Sequence, residues 1–186
     1  MEQEAKQTIF DIIRFAFITL IIVIPVRAYV AQPFIVSGES MDPTYKNGEY
    51  LVIDELSYHF NTPERGEIVV FRYPEDPSKF FIKRVIGLPG EKVALSYDKV
   101  IITGIDGKNQ TLPENYLDKK FNYNNLEVTL KADEYFVMGD NRPSSLDSRM
   151  WGPLPESFIK GRVIARLLPL SKISLFPGYP EIETAE

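Results

Sequence analysis

The sequence contains no cysteine and a single histidine, His59. The first absence excludes a disulfide framework, a thiol nucleophile and any cysteine-type metal site. The second leaves too few nitrogen ligands for the usual zinc centres, and no H-E-x-x-H pattern is present. His59 lies in a polar stretch with Asn61, Thr62 and Pro63, where a solvated ring is expected rather than a member of a Ser-His-Asp triad. A hydrolase built from this chain must therefore work without histidine, and neither a metal nor a cofactor is expected. The chain also lacks a charge block. Its 21 Lys and Arg and 26 Asp and Glu give a net charge of -5 spread along the sequence, so nothing points to nucleic acid. With no internal repeat or low-complexity tract, 186 residues that are 44% hydrophobic suit one globular domain plus an appendage.

The appendage is N-terminal. From Ile9 to Val30 apolar residues dominate, and the only charges are Asp11, Arg14 and Arg27. As a helix this run would cover ~33 Å, close to the ~30 Å hydrocarbon thickness of a bilayer. Only Phe15 to Val26 separates the two arginines, so one or both must snorkel toward a headgroup layer, and Asp11 and Arg14 stand three apart and could pair. A cleaved signal peptide is the competing reading, with Val26-Arg27-Ala28 as its cleavage pattern. Pro25 and Arg27 crowd that site, and the segment from Met1 to Gln7 is too acidic for a signal, which favours an uncleaved anchor.

Beyond Gln32-Pro33-Phe34 the sequence turns strand-like. Tyr50 to Ile53, Glu67 to Arg72, Phe80 to Ile86, Lys92 to Leu95, Val100 to Ile102, Leu126 to Leu130, Tyr135 to Met138 and Arg162 to Leu168 are short β-branched or aromatic runs bounded by turn residues. Residues 96–131, with Gly and Asn turns, read as a subdomain of hairpins inserted between core strands. Residues 32–180 would form the β domain, 1–31 the stub and anchor, and 181–186 a loose tail.

Four stretches stand out. Ser37-Gly38-Glu39-Ser40-Met41-Asp42-Pro43-Thr44 reads as a constrained turn that could hold the Ser40 hydroxyl at a cleft rim, or as an ordinary turn. Arg65-Gly66-Glu67 leads into Phe80 to Gly90, where Lys83 sits inside an apolar strand on the face of Phe81 and Val85, while Arg84 shares the other face with Ile82 and Ile86. Taken alone, that lysine could equally snorkel at an edge. The last stretch runs from Gly139-Asp140-Asn141-Arg142 to Ser145, Asp147, Ser148 and Arg149.

Together, a G-x-S-M-x-P-T box at Gly38 to Thr44, a strand box at Gly48 to Ser57, an R-G-E…K-R-x-x-G-x-P-G box from Arg65 to Gly90 and a G-D-N-R…S-x-D-S-R box from Gly139 to Arg149 resemble type I signal peptidase. The resemblance implies a mainly β fold. An antiparallel catalytic core with an inserted small β subdomain would follow one N-terminal transmembrane helix, with the core on the extracytoplasmic side of the cytoplasmic membrane. It implies that Ser40 is the nucleophile and Lys83 the general base, that Ser145 hydrogen-bonds and orients the lysine, and that Arg84, Asp140, Asp147 and Arg149 are structural charges bracing the site. Substrates would be secretory preproteins, cut after small residues, and the remaining partner would be membrane lipid. Some members carry a serine two residues before the nucleophile to assist the oxyanion hole; this chain has Gly38 there, and Ser37 is one position off, pointing to the opposite face of an extended segment.

Two other function classes fit parts of the pattern. A self-cleaving Ser-Lys regulator like the SOS repressors would want an N-terminal DNA-binding domain where this chain has an apolar run. A non-catalytic membrane-anchored β module would leave Ser40 and Lys83 incidental, and acylation of Ser40 by a serine-directed inhibitor would distinguish it from an enzyme.

Overall fold

The apolar runs pair into antiparallel ladders in the computed structural model, which describes residues 2–25 and 31–179. A helix, α1, covers Glu2–Pro25. Twelve strands follow: β1 Ala31–Ile35, β2 Tyr50–Asp54, β3 Ile68–Tyr73, β4 Asp76–Gly87, β5 Lys92–Tyr97, β6 Lys99–Thr103, β7 Asn109–Thr111, β8 Tyr123–Thr129, β9 Glu134–Met138, β10 Leu154–Pro155, β11 Ile159–Leu168 and β12 Ser174–Leu175. A one-turn helix, α2, spans Ser148–Trp151.

The large sheet runs β1-β2-β11-β3-β4-β9-β10, with β12 added against β11. The small sheet runs β7-β6-β5-β8. The mainly antiparallel β character expected from the alternating pattern is therefore what forms. β4 is longer than its apolar core suggests, because the β3–β4 hairpin closes at Tyr73 and Asp76 and, through a register shift, takes residues Asp76 to Lys79 into the strand. β1 lies ahead of the strand-like region expected beyond Gln32-Pro33-Phe34; as an edge strand it pairs with β2, and proline is tolerated there. β7, β10 and β12 are too short to carry a period.

Three apolar clusters hold these sheets. Ile86, Phe136 and Met138 of the large sheet pack with Val93, Leu95, Val100 and Ile102 of the small one, so the two sheets share a core. Val36, Met41, Tyr45, Leu51, Ile53 and Ile68 pack behind the turn that carries Ser40. Val69, Phe71, Val85, Tyr135, Val137 and Leu154 fill the third. Each fully buried side chain of this size contributes about 1.5–3 kcal/mol by leaving water.

The N-terminal helix does not join this core. Its apolar side chains from Ile9 to Ile21 are exposed, Phe15 at 74%. Among the described residues no helix is long and apolar enough to cross a membrane. The last five positions of the expected span, 26–30, lie outside the described residues, as does the tail 181–186.

Candidate active site

Ser40 sits in a turn between β1 and β2, pinned from below by its neighbour. Met41 is 1% exposed and Tyr45 is fully buried, so the apolar cluster fixes the backbone on the C-terminal side of the serine. On the other side Gly38 adopts a φ of +94°, a conformation that favours glycine, and its N–H donates to Asn47 Oδ1 at 2.9 Å. Asn141 clamps the turn a second time: its backbone N–H donates to the Ser40 carbonyl and its Nδ2 to the Glu39 carbonyl, each at 3.0 Å. Among the described residues the Ser40 N–H has no acceptor.

Lys83 reaches this serine from the middle of β4. Its Nζ lies 2.8 Å from Ser40 Oγ and donates to the Ile82 carbonyl at 2.9 Å, with the Phe81 ring centroid 5.2 Å away. Only 3% of the residue is exposed. Burial pushes the Lys83 ammonium down to about 8; Asp147 and Asp140 pull it back up, and Arg149 pushes it down further. No acid makes direct contact, so desolvation wins.

The four charged residues bracing this region pair in two sets. Arg84 and Asp140 form a fully buried bidentate bridge at 2.9 and 2.6 Å, and the guanidinium also donates to the carbonyls of Gly66 at 2.9 Å and Gly178 at 2.6 Å. Asp140 accepts in addition from the Thr44 hydroxyl, at 2.5 Å. Asp147 accepts from Arg149 Nε at 2.7 Å and from the Gly139 N–H at 3.0 Å, while Arg149 Nη2 donates to the Arg142 carbonyl at 2.7 Å. Asp147 thus ties the strand end of β9 to the segment that follows it, and Asp140 ties that strand end to β4 and to the Ser40 turn.

Ser145 differs from the expectation that it hydrogen-bonds the lysine. Its Oγ is buried and has no hydrogen-bond partner among the described residues. It lies instead over Gly139, and a methyl group there would overlap both Ser145 Oγ and the Ser40 carbonyl oxygen. Gly139 is bare because two site residues close over it. Its place at the head of the G-D-N-R box was the available signal, but only the folded chain shows what it makes room for.

Other contributors were silent in the sequence. Arg142 is buried and paired with Glu114, with Tyr116 and Tyr123 around it, and Tyr116 also stacks over Arg84 at 4.1 Å, so the loop before β8 is bonded to the core. A C-terminal strap does the same from behind: Tyr45 donates to the Pro177 carbonyl at 2.5 Å, and Gly178, at φ +78°, lies flat on Thr44. His59 is exposed in a single helical turn, its Nδ1 3.1 Å from the Glu55 carbonyl oxygen.

A cavity of about 480 Å³ opens over Ser40 and Lys83. Phe34, Val36, Leu51, Val70, Ile82 and Leu146 make much of its wall apolar, and Glu39 and Lys79 also line it. A hydroxyl in contact with a buried amine of lowered pKa, beside such a cleft, is equipped for nucleophilic attack on a carbonyl.

The family model described as "Signal peptidase, peptidase S26" matches residues 9–168. Signal peptidase I of Leptolyngbya laminosa is 36% identical over 179 residues, covering 92% of this chain and 86% of that one. A probable signal peptidase I-2 of Synechocystis is 38% identical over 173 residues, covering 90% and 77% respectively. A solved signal peptidase I from Enterococcus faecalis is 32% identical and covers 55% of this chain and 97% of its own, with a TM-score of 0.47.

Proposed function

Since this chain belongs to the type I signal peptidase family, peptidase S26, we propose that it is a membrane-anchored serine endopeptidase that removes signal peptides from secretory preproteins with a Ser40–Lys83 dyad. The contact that carries the reading is the 2.8 Å approach of Lys83 Nζ to Ser40 Oγ. With a pKa of about 8 the lysine is neutral in roughly one molecule in ten at pH 7 and in half at pH 8. In that form its lone pair accepts the Ser40 proton as Oγ attacks the scissile carbonyl. The resulting ammonium passes the proton to the leaving amine as the carbon–nitrogen bond breaks, which leaves an acyl-Ser40 ester. Water then attacks the ester, Lys83 takes its proton and returns it to Ser40 Oγ, and the peptide leaves as its carboxylic acid. The free Ser40 N–H is the donor available to the oxyanion.

Ser145, Arg84, Asp140, Asp147 and Arg149 hold the geometry and do no chemistry. The apolar part of the cleft, with Leu51 and Val70 in its wall, suits uncharged side chains beside the cut, and the family resemblance makes these small ones. The helix anchors the enzyme with Met1 inside and the catalytic β domain, residues 32–180 with its insert 96–131, outside. Its exposed apolar belt from Ile9 to Ile21, covered by none of the described residues, supports contact with lipid.

Incubation of the detergent-solubilised protein with a preprotein, with the cut located by mass spectrometry, tests the reading. Cleavage after a small residue is expected, together with covalent labelling of Ser40 by a serine-directed acylating inhibitor. Undiminished cleavage by folded Ser40→Ala protein would overturn it.

A further inference from the structure

A second cavity, of about 370 Å³, lies on the far side of the chain segment that walls the first. The two share residues 143–146 as a partition: Ser144 and Leu146 line the cavity over Ser40, while Pro143 and Ser145 line the other. The partition is a single 3-10 turn, Arg142–Ser144, that passes into Ser145 with extended dihedrals, so successive residues face opposite cavities. We propose that the second cavity binds the substrate residues on the carboxyl side of the scissile bond, the start of the mature protein, so that the two cavities hold the two halves of one extended peptide. This inference rests on the signal-peptidase reading of Ser40 and deepens it.

Three observations carry it. First, the second cavity reaches the turn of the nucleophile through Ser145, which lines it: Ser145 Oγ and the Ser40 carbonyl oxygen close on the same face of Gly139. A peptide bond held over Ser40 with its acyl half in the first cavity has its amine half at this partition. Second, the lining suits a peptide of no fixed charge. Arg142 is paired with Glu114 and Arg149 with Asp147, so the two guanidiniums there are already neutralised within the protein. Third, what remains is an apolar floor with an amide rim. Leu95, Phe121 and Leu126 offer apolar surface, Met150 stands 75% exposed at the mouth, and the amides of Asn122 and Asn124 are exposed beside it. Amide side chains donate to and accept from a peptide backbone whatever its sequence, and a methionine adapts to varied side chains. An enzyme that processes many preproteins needs that tolerance on the side of the cut where mature sequences differ.

The test uses two peptides with one shared acyl half, ending in either a six-residue or a single-residue leaving part. The full-length wild-type protein is expected to prefer the longer leaving part, by roughly ten-fold in kcat/KM. In the double variant Asn124→Ala, Met150→Ala, both changes being at exposed positions, the ratio of the two values should collapse toward one. A wild-type ratio near one, or a ratio unchanged in the variant while both values fall, would overturn the inference and leave the dyad standing. Cleavage of neither peptide by the wild-type protein would bring down the signal-peptidase reading itself, and the inference with it.

Discussion

Lys83 and Arg84 are neighbours in β4, both at most 3% exposed, and they leave the strand on opposite faces into opposite electrostatic fates. Arg84 meets Asp140 in a bidentate pair; Lys83 meets a neutral hydroxyl and a carbonyl, and burial drives it toward neutrality. One strand thus supplies a structural cation and a base from consecutive residues.

Holding the lysine in this state costs stability. A lysine whose folded pKa is lowered binds fewer protons folded than unfolded between about 8 and ~10.4, so stability rises with pH across that window and the full penalty is present below it. Lys83→Met should therefore raise the stability of the full chain at pH 7, by about 1–3 kcal/mol once the unpaired Ile82 carbonyl is allowed for. Thermal unfolding at pH 7 and pH 10 checks this. The gain should shrink at the higher pH, and a variant less stable than wild type at both would contradict it.

Gly139→Ala should uncouple folding from activity. The added methyl would push apart Ser145 and the Ser40 backbone, and a displacement of ~1 Å at a nucleophile costs on the order of 100-fold in turnover. The expected result is a folded protein with kcat reduced by about that factor. Wild-type turnover would mean that Ser40 does not depend on this packing.

The Arg84–Asp140 pair should behave as a buried bridge that is expensive to break from one side. Asp140→Asn leaves a guanidinium uncompensated and should destabilise the protein by about 3–5 kcal/mol, measured by chemical denaturation. A change within the ~0.5 kcal/mol typical of surface sites would show the pair to be dispensable.

Much of this was legible in the chain. The strand around Lys83, with Phe81 and Val85 on its face, left burial and snorkelling at an edge equally open for the lysine, and the resemblance of the four boxes is what singled it out. The eight apolar runs became strands because β-branched and aromatic side chains suit a half-buried pleated surface. What stayed hidden depends on contacts far apart in sequence. Ser145 packs over Gly139 without reaching Lys83 in a hydrogen bond, the strap at Pro177 and Gly178 braces Tyr45 and Arg84 from more than ninety positions away, and Glu114 answers a buried Arg142 from a loop with no strand period. Edge strand β1 lies ahead of the expected strand-like region.

Two substitutions should be nearly silent. His59 is exposed in a surface turn, and His59→Ala should leave kcat/KM for preprotein within about two-fold of wild type. Ser37 is exposed at the rim of the cleft, and Ser37→Ala should cost much less than the ~100-fold typical of a lost oxyanion donor. A 100-fold loss in folded Ser37→Ala would place that hydroxyl in the oxyanion hole.

The claim on which everything else depends is that Lys83 must be neutral when substrate arrives, and the pH dependence of kcat/KM for preprotein cleavage measures it most directly. If Lys83 is the base, kcat/KM should climb about ten-fold per pH unit at low pH and level off above an apparent pKa of about 8, the value to which burial lowers this amine. A profile that is flat from pH 6 to 9, or that keeps rising to the ~10.4 of an ordinary lysine, would contradict the dyad and require another base for Ser40.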